Sequence, residues 1–295
     1  LRELLDGADG DYRLEVLTQI ARAQGLQGRY DEAHKTLDTV EGALEGVDPR
    51  VRVRYLLERG RVLNSSGKPE EGAPLFIEAF ELAQRRDLAG LAIDAAHMVA
   101  IARQGTPDEL AWGLKGLALA EASEDPDAQG WLGPLYNNLG WTYHEAGQFE
   151  QALDLFQKGL AVRRAQDDEG SVYLARWAVA RCLRSLGRYD KALTIQRQLM
   201  AEADRKGEPD GFVFEELAEL ALVQGDEAGA KAWFTKALPL LEADKWLGED
   251  EPERLERIRT FLGGGGIDTD EDGEDMDDGT EDDDEMPLDD DLEES

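Results

Sequence analysis

The sequence has one cysteine and three histidines among 295 residues, so the commonest metal ligands are scarce. A single cysteine, Cys182, excludes an internal disulfide framework and suits a reducing compartment, so we expect a cytoplasmic protein. His34, His97 and His144 are widely separated, and neither an H-E-x-x-H motif nor a Cys/His cluster is present. The sequence therefore predicts no metal site.

Signatures of catalysis and of cofactor binding are missing as well. The four-glycine run at 263–266 is not followed by the Lys and Ser/Thr that a phosphate-binding loop needs. Carboxylates are so abundant that no pair of them stands out as a general acid and base. We predict a protein that is not an enzyme and that carries no cofactor.

Basic residues are few beside the acids. The chain has 32 Lys and Arg against 65 Asp and Glu, a formal net charge of −33. Residues 263–295 contain 18 acids and no base, which leaves 47 acids, 32 bases and a net charge of −15 on the rest. Both parts would repel nucleic acid phosphates, and no run of 18 apolar residues exists to span a membrane. We therefore expect neither a nucleic acid nor a membrane as a partner.

A repeat is the most informative feature that is present. Similar phrases recur at steps of 39, 38, 42, 40 and 38 residues: GRYDEA (28–33), GKPEEG (67–72), GTPDEL (105–110), GQFEQA (147–152), GRYDKA (187–192) and GDEAGA (225–230). Each phrase follows one apolar-periodic helical stretch and precedes another, with a glycine that ends the first helix. A fixed period built from a helix pair is typical of an α-solenoid.

The fourth unit, YNNLGWTYHEAGQFEQALDLFQKGL, resembles the tetratricopeptide repeat. The matching residues are Leu139, Gly140, Tyr143, Gly147, Ala152 and Phe156. Gly140 and Ala152 are small, as a close crossing of two helices requires. The period near 40 and the NNLG phrase resemble the kinesin-light-chain style of this repeat, and the resemblance covers roughly residues 13–245.

The resemblance implies an all-α fold, a right-handed α-solenoid of about six helix-pair repeats. We expect an N-terminal cap or the remnant of an upstream helix at 1–12, the solenoid at 13–250 and a capping helix at 251–262. A glycine linker would follow at 263–266 and a disordered acidic tail at 267–295. Leu255, Ile258 and Leu262 form the apolar stripe by which the capping helix would cover the last repeat.

The first helix of each pair lines the concave side of such solenoids, and counting back from the turn glycines gives positions that would face a ligand. Arginine and tryptophan, which dominate interface energies, are frequent there. The candidates for a peptide-binding groove are Arg54, Arg61, Asn64, Asn137, Trp141, His144, Trp177, Arg181 and Arg184. In the sixth unit the same positions are Glu215, Glu219 and Leu222.

The resemblance implies that Asn137 hydrogen-bonds the backbone of an extended peptide, because an amide both donates and accepts. The arginines favour an acidic peptide. Two other interpretations stay open: these residues form an ordinary helix surface, or Trp141 and Trp177 pack between adjacent units.

The acidic tail also has several interpretations. DTDEDGEDMDDG begins like a calcium loop, but Gly279 stands at the twelfth position, where an EF-hand needs glutamate. The tail is otherwise a solubilising segment, a lure for basic partners, or a ligand, native or fused, for the protein's own groove.

Three functions follow from these features. The first is a scaffold that binds an extended, acidic peptide, for which its own residues 267–295 are one candidate. The second is a chaperone-like carrier of basic proteins through the tail. The third is a regulatory module of a larger signalling protein, since the opening LRELLDG resembles the end of a helix that begins upstream.

Overall fold

The computed structural model describes residue 5 and residues 7–166, 168–244, 247 and 251–264. Within these ranges the chain forms helices and no strand. The first unit contains α1 (Gly10–Leu26) and α2 (Tyr30–Glu41), and the second contains α3 (Pro49–Ser65) and α4 (Pro69–Arg85). The third unit contains α5 (Ala89–Ala102) and α6 (Pro107–Ala122). The short α7 (Pro126–Gln129) follows, and the fourth unit contains α8 (Leu132–Glu145) and α9 (Phe149–Ala165). The remaining helices are α10 (Glu169–Ser185) and α11 (Tyr189–Lys206), α12 (Gly211–Val223) and α13 (Glu227–Ala243), and the terminal α14 (Pro252–Leu262). The predicted all-α solenoid of helix pairs is confirmed.

The turn inside each pair depends on a glycine in the left-handed region. Gly28, Gly67, Gly105, Gly147, Gly187 and Gly225 all have φ between 69° and 81°. A side chain is strained in this conformation, whereas glycine adopts it freely. The recurring glycine therefore sets where the first helix of each pair ends.

The two helices of a pair cross closely where the sequence places small residues. A Cβ atom on Gly140 would lie 2.5 Å from Cε1 of Phe156, and one on Gly60 would lie 2.5 Å from Cε1 of Phe76. Ala152 is fully buried beside the first of these crossings. The close crossing inferred for the fourth unit is thus present, and the second unit repeats it.

The terminal helix α14 packs on the last repeat. Leu255 and Ile258 are buried, and the rings of Phe261 and Phe234 lie 5.5 Å apart between centroids. The predicted capping helix is therefore present. The tail at 267–295 lies outside the described residues, and among the helices that are described none is long and apolar enough to cross a membrane.

Candidate functional site on the inner face

Two adjoining cavities lie on the inner face, the side of the solenoid lined by the first helices of the pairs. The large cavity has a volume of about 1230 Å³ and lies between α8, α10 and α12 on one side and α14 on the other. Its lining residues are Trp141, His144, Glu145, Trp177, Arg181, Arg184, Glu215, Glu216, Glu219, Glu251, Pro252, Glu253, Arg254, Glu256, Arg257 and Thr260. Five of the nine predicted groove residues are among them.

The small cavity has a volume of about 210 Å³ and lies between α5, α6 and α8. Its lining residues are His97, Ala100, Ile101, Gln104, Glu109, Gly113, Leu135, Asn138, Leu139, Trp141, Thr142 and Glu145. Trp141 and Glu145 line both cavities, so the two are neighbours on the inner face.

Trp141 and Trp177 pack between adjacent units and also line the large cavity. Their ring centroids are 6.0 Å apart, and Trp141 lies 5.0 Å from Phe156 while Trp177 lies 6.2 Å from Phe212. Both indoles remain half-buried. The Nε1 atom of Trp177 is buried without a hydrogen-bond partner among the described residues. An unsatisfied buried donor costs about 1–3 kcal/mol of stability.

His144 joins α8 to α10. It is buried, its Nε2 atom lies 2.9 Å from Oγ of Ser185, and its ring lies 5.0 Å from that of Phe149. At Asn137 the side-chain amide donates to Oδ1 of Asn138 at 3.3 Å, and it is Asn138 that lines the small cavity.

Arg181 and Arg184 line the large cavity, and both pair with Glu216 of the next unit. Nε of Arg184 donates to Oε2 of Glu216 at 3.0 Å, and its NH2 group donates to Oε1 at 3.2 Å. Nε of Arg181 lies 3.3 Å from Oε1 of the same glutamate. Glu216 is 3% exposed, so these contacts compensate a buried carboxylate.

The predicted groove residues of the second unit lie outside both cavities. Arg61 donates to Glu58 at 2.6 Å and also to Asp94 of the next unit, and Nε of Arg54 lies 3.5 Å from Glu15 of the preceding one. Burial alone would lower the pKa of Arg61, but the charges of Asp94 and Glu58 raise it overall. Asn64 is half-buried in α3.

Sequence reasoning missed a second set of buried ion pairs, which ties α14 to α12. Arg254 binds Glu215 through two hydrogen bonds, of 2.7 Å from Nε and 2.5 Å from NH2, and Arg257 binds Glu219. Burial raises the pKa of Glu215, which Arg254 opposes. The sequence feature that could have indicated these ion pairs is Glu215 and Glu219 at the inner positions of the sixth unit, because a carboxylate buried there requires a cation as its partner.

The chemical character of the inner face therefore changes along the solenoid. Buried ion pairs connect neighbouring helices toward both ends, Arg61 on α3 with Asp94 on α5 and Arg254 on α14 with Glu215 on α12. Between α8 and α10 the contacts include aromatic packing of Trp141 on Trp177 and the bond between His144 and Ser185. The described part of the chain contains no cluster of three or more His, Cys, Asp or Glu placed to hold a metal ion. The arrangement is suited to binding a polypeptide with apolar and charged side chains.

A solenoid of helix pairs with cavities along its inner face is the architecture of helical-repeat proteins. Comparison with models of protein families identifies the repeat. Residues 135–165 match the family model of the tetratricopeptide repeat. The fourth unit thus matches the tetratricopeptide repeat, as its sequence predicted, and the other units repeat its helix-pair fold. No match is found among the sequences of curated proteins.

Solved structures show the same fold at low sequence identity. A putative kinesin light chain from Podosopora anserina, with nearly identical repeats, is 18% identical with a TM-score of 0.54, over 67% of this chain and 99% of that one. NprR in complex with its cognate peptide NprX is 14% identical with a TM-score of 0.56, over 88% and 77%. A signal transduction ATPase with numerous domains and a tetratricopeptide repeat sensor, from Pyrococcus horikoshii, is 14% identical with a TM-score of 0.67, over 90% and 41%.

Proposed function

We propose that this chain is a protein–protein interaction scaffold that binds an extended peptide segment in the large cavity. The observation that carries the proposal is the cavity itself, about 1230 Å³ in volume, with two adjacent tryptophans in its wall. Aromatic side chains supply large contact area at little conformational cost, and they are frequent at the centre of interfaces. The fold supports the proposal, since NprR, which shares it, was solved with a peptide bound.

Trp141 and Trp177 provide the apolar contact in this proposal. The Nε1 atom of Trp177 is itself buried, so the indole contributes apolar contact rather than a hydrogen bond to the peptide. Arg181, Arg184 and His144 shape the wall. Arg54, Arg61, Asn64 and Asn137 stay predictions, and none of the four lines either cavity.

A preference for acidic peptides depends on whether a peptide carboxylate can compete with Glu216. A peptide carboxylate would have to share or replace Glu216 at Arg181 and Arg184. The same condition applies to residues 267–295 as an internal ligand, although tethering would raise their effective concentration. The acidic preference is therefore an alternative that a titration with peptides of different charge decides.

A second candidate, a regulatory module of a larger signalling protein, is favoured by one observation. The Pyrococcus horikoshii ATPase contains a tetratricopeptide repeat sensor, and this chain spans only 41% of that protein. A peptide-binding groove serves such a sensor equally well. That the chain is not an enzyme and that it is cytoplasmic stay predictions.

The proposal is tested by Trp177→Phe, which keeps an aromatic ring in the wall and reduces its contact area. Short labelled peptides that contain leucine and phenylalanine, in acidic, neutral and basic versions, are titrated into the full chain by fluorescence anisotropy. We expect saturable binding that Trp177→Phe weakens about two- to tenfold, because the smaller ring loses apolar contact area worth roughly 0.5–1.5 kcal/mol. The matched control is Trp233→Phe, at an indole stacked on Phe214 and outside both cavities. Absence of binding by all three peptides, or equal losses in the two variants, contradicts the proposal.

A further inference from the structure

We infer that the peptide segment selected by the inner face is basic, with a lysine or arginine side chain held beside Trp141 and Glu145. The inference rests on the proposed function and adds the chemical class of the partner. It opposes the acidic preference that the sequence suggested, and it starts from the partners of the charged residues in the cavity wall.

The charges in the wall of the large cavity are predominantly negative. Its lining residues include seven glutamates and four arginines. All four arginines pair with buried glutamates of α12: Arg181 and Arg184 with Glu216, Arg254 with Glu215 and Arg257 with Glu219. The positive charge is thus already engaged by the protein.

Two of the carboxylates have no such compensation. Glu251 pairs with Arg254 at 3.0 Å and Glu256 with Arg259 at 3.3 Å. No ion pair with another described residue is formed by Glu145 on α8 or by Glu253 on α14. These two glutamates lie on elements that line the large cavity from opposite sides. A cation between the elements would interact favourably with both.

The small cavity fits the side chain of a basic residue. Leu135, Leu139 and Ile101 provide an apolar wall for the aliphatic stem, while Trp141 and Glu145 belong to the walls of both cavities. Lysine and arginine bind favourably over an indole, and their stems pack on apolar surface.

Glu109, a second carboxylate of the small cavity, also has only neutral partners among the described residues. Glu109 accepts from the backbone N–H of Gly105 at 2.7 Å and from the hydroxyl of Thr142 at 3.0 Å. Burial, together with the charge of Glu109, raises the pKa of Glu145. A bound cation would relieve this repulsion.

An acidic segment would meet the opposite situation. To reach Arg181 and Arg184 it would have to displace Glu216, which is 3% exposed and would remain buried without those partners. It would also approach a chain whose net charge is −33, so association would be slowed rather than steered.

Three labelled peptides test the inference on the full chain. They share the same leucine and phenylalanine positions, and the remaining positions are lysine and arginine, serine and glutamine, or aspartate and glutamate. We expect the basic peptide to bind most tightly, the neutral one less and the acidic one least. The difference should narrow as salt is added, because exposed charges are screened.

The double variant Glu145→Gln/Glu253→Gln separates the inner face from the acidic tail. Each exposed carboxylate contributes about a two- to fivefold change, so the pair should weaken binding of the basic peptide roughly tenfold at low salt. The control Glu45→Gln/Glu208→Gln makes the same change of charge at exposed positions outside both cavities and should leave binding within about twofold of the parent.

Each outcome has a separate meaning. If none of the three peptides binds, the proposed function fails. If the three bind equally, or the acidic peptide binds best, the scaffold stands and the basic preference is overturned. If the basic peptide binds best but both double variants match the parent, the capture occurs away from the inner face, and the inference is also overturned.

Discussion

Gln196 occupies the position at which the second, fourth and sixth units have Phe76, Phe156 and Phe234, nine residues after the turn glycine. Its side chain is completely buried in α11, and neither Oε1 nor Nε2 has a hydrogen-bond partner among the described residues. Replacement by methionine keeps the unbranched shape and removes both polar atoms. An unsatisfied buried polar group costs about 1–3 kcal/mol, so Gln196→Met should increase the free energy of unfolding by about that amount.

Chemical denaturation of the two proteins measures this change, and an unchanged denaturant slope would show that the denatured state is unaffected. Gln198→Met on the same helix is the control, because Gln198 accepts a hydrogen bond of 3.0 Å from Arg176 and should not gain stability when replaced. A decrease in stability for Gln196→Met would show that the amide has a partner, such as a buried water molecule.

At the scale of elements, the helix pairs could be predicted because their signals are local. The turn glycines recur at nearly constant spacing, and the apolar residues Leu255 and Ile258 mark the buried side of α14. The partners of the charged residues could not be predicted in this way. Arg184 and Glu216 are 32 residues apart, and Arg254 and Glu215 are 39 apart, so each looks like an exposed charge until the units are stacked. Five of the predicted groove residues of the fourth and fifth units line the large cavity and Asn137 does not, and their role in binding stays a prediction. That Glu216 pairs with the two arginines could not be seen from the sequence.

The ion pair between Arg254 on α14 and Glu215 on α12 leads to a prediction about how firmly α14 is held in place. Arg254→Ala leaves Glu215, which is 3% exposed, without its bidentate partner. Breaking a buried ion pair from one side costs about 3–5 kcal/mol, and undocking of α14 is an alternative way for Glu215 to reach water. We expect a lower denaturation midpoint and faster amide hydrogen exchange in Pro252–Leu262.

The matched variant is Arg259→Ala on the same helix. Arg259 pairs with Glu242 at 2.7 Å, but both side chains are more than 40% exposed, so little loss is expected from water-accessible partners. Equal behaviour of the two variants would mean that the buried pair does not hold α14 in place.

At the scale of the whole molecule, the net negative charge lowers the stability of the fold but favours binding of a basic peptide. The acidic residues that give the net charge of −33 repel one another in the compact state, and added salt screens this repulsion. Buried pairs, such as Arg184 with Glu216, are little affected by salt. Added salt should therefore raise the thermal midpoint of the full chain while it weakens binding of a basic peptide.

Thermal unfolding in sodium chloride and in magnesium chloride at equal ionic strength measures the effect of salt on the thermal midpoint. Equal shifts indicate screening, and a larger shift with magnesium indicates binding of the divalent ion. A midpoint that falls with salt would mean that exposed ion pairs outweigh the repulsion, because those pairs are the contacts that salt weakens.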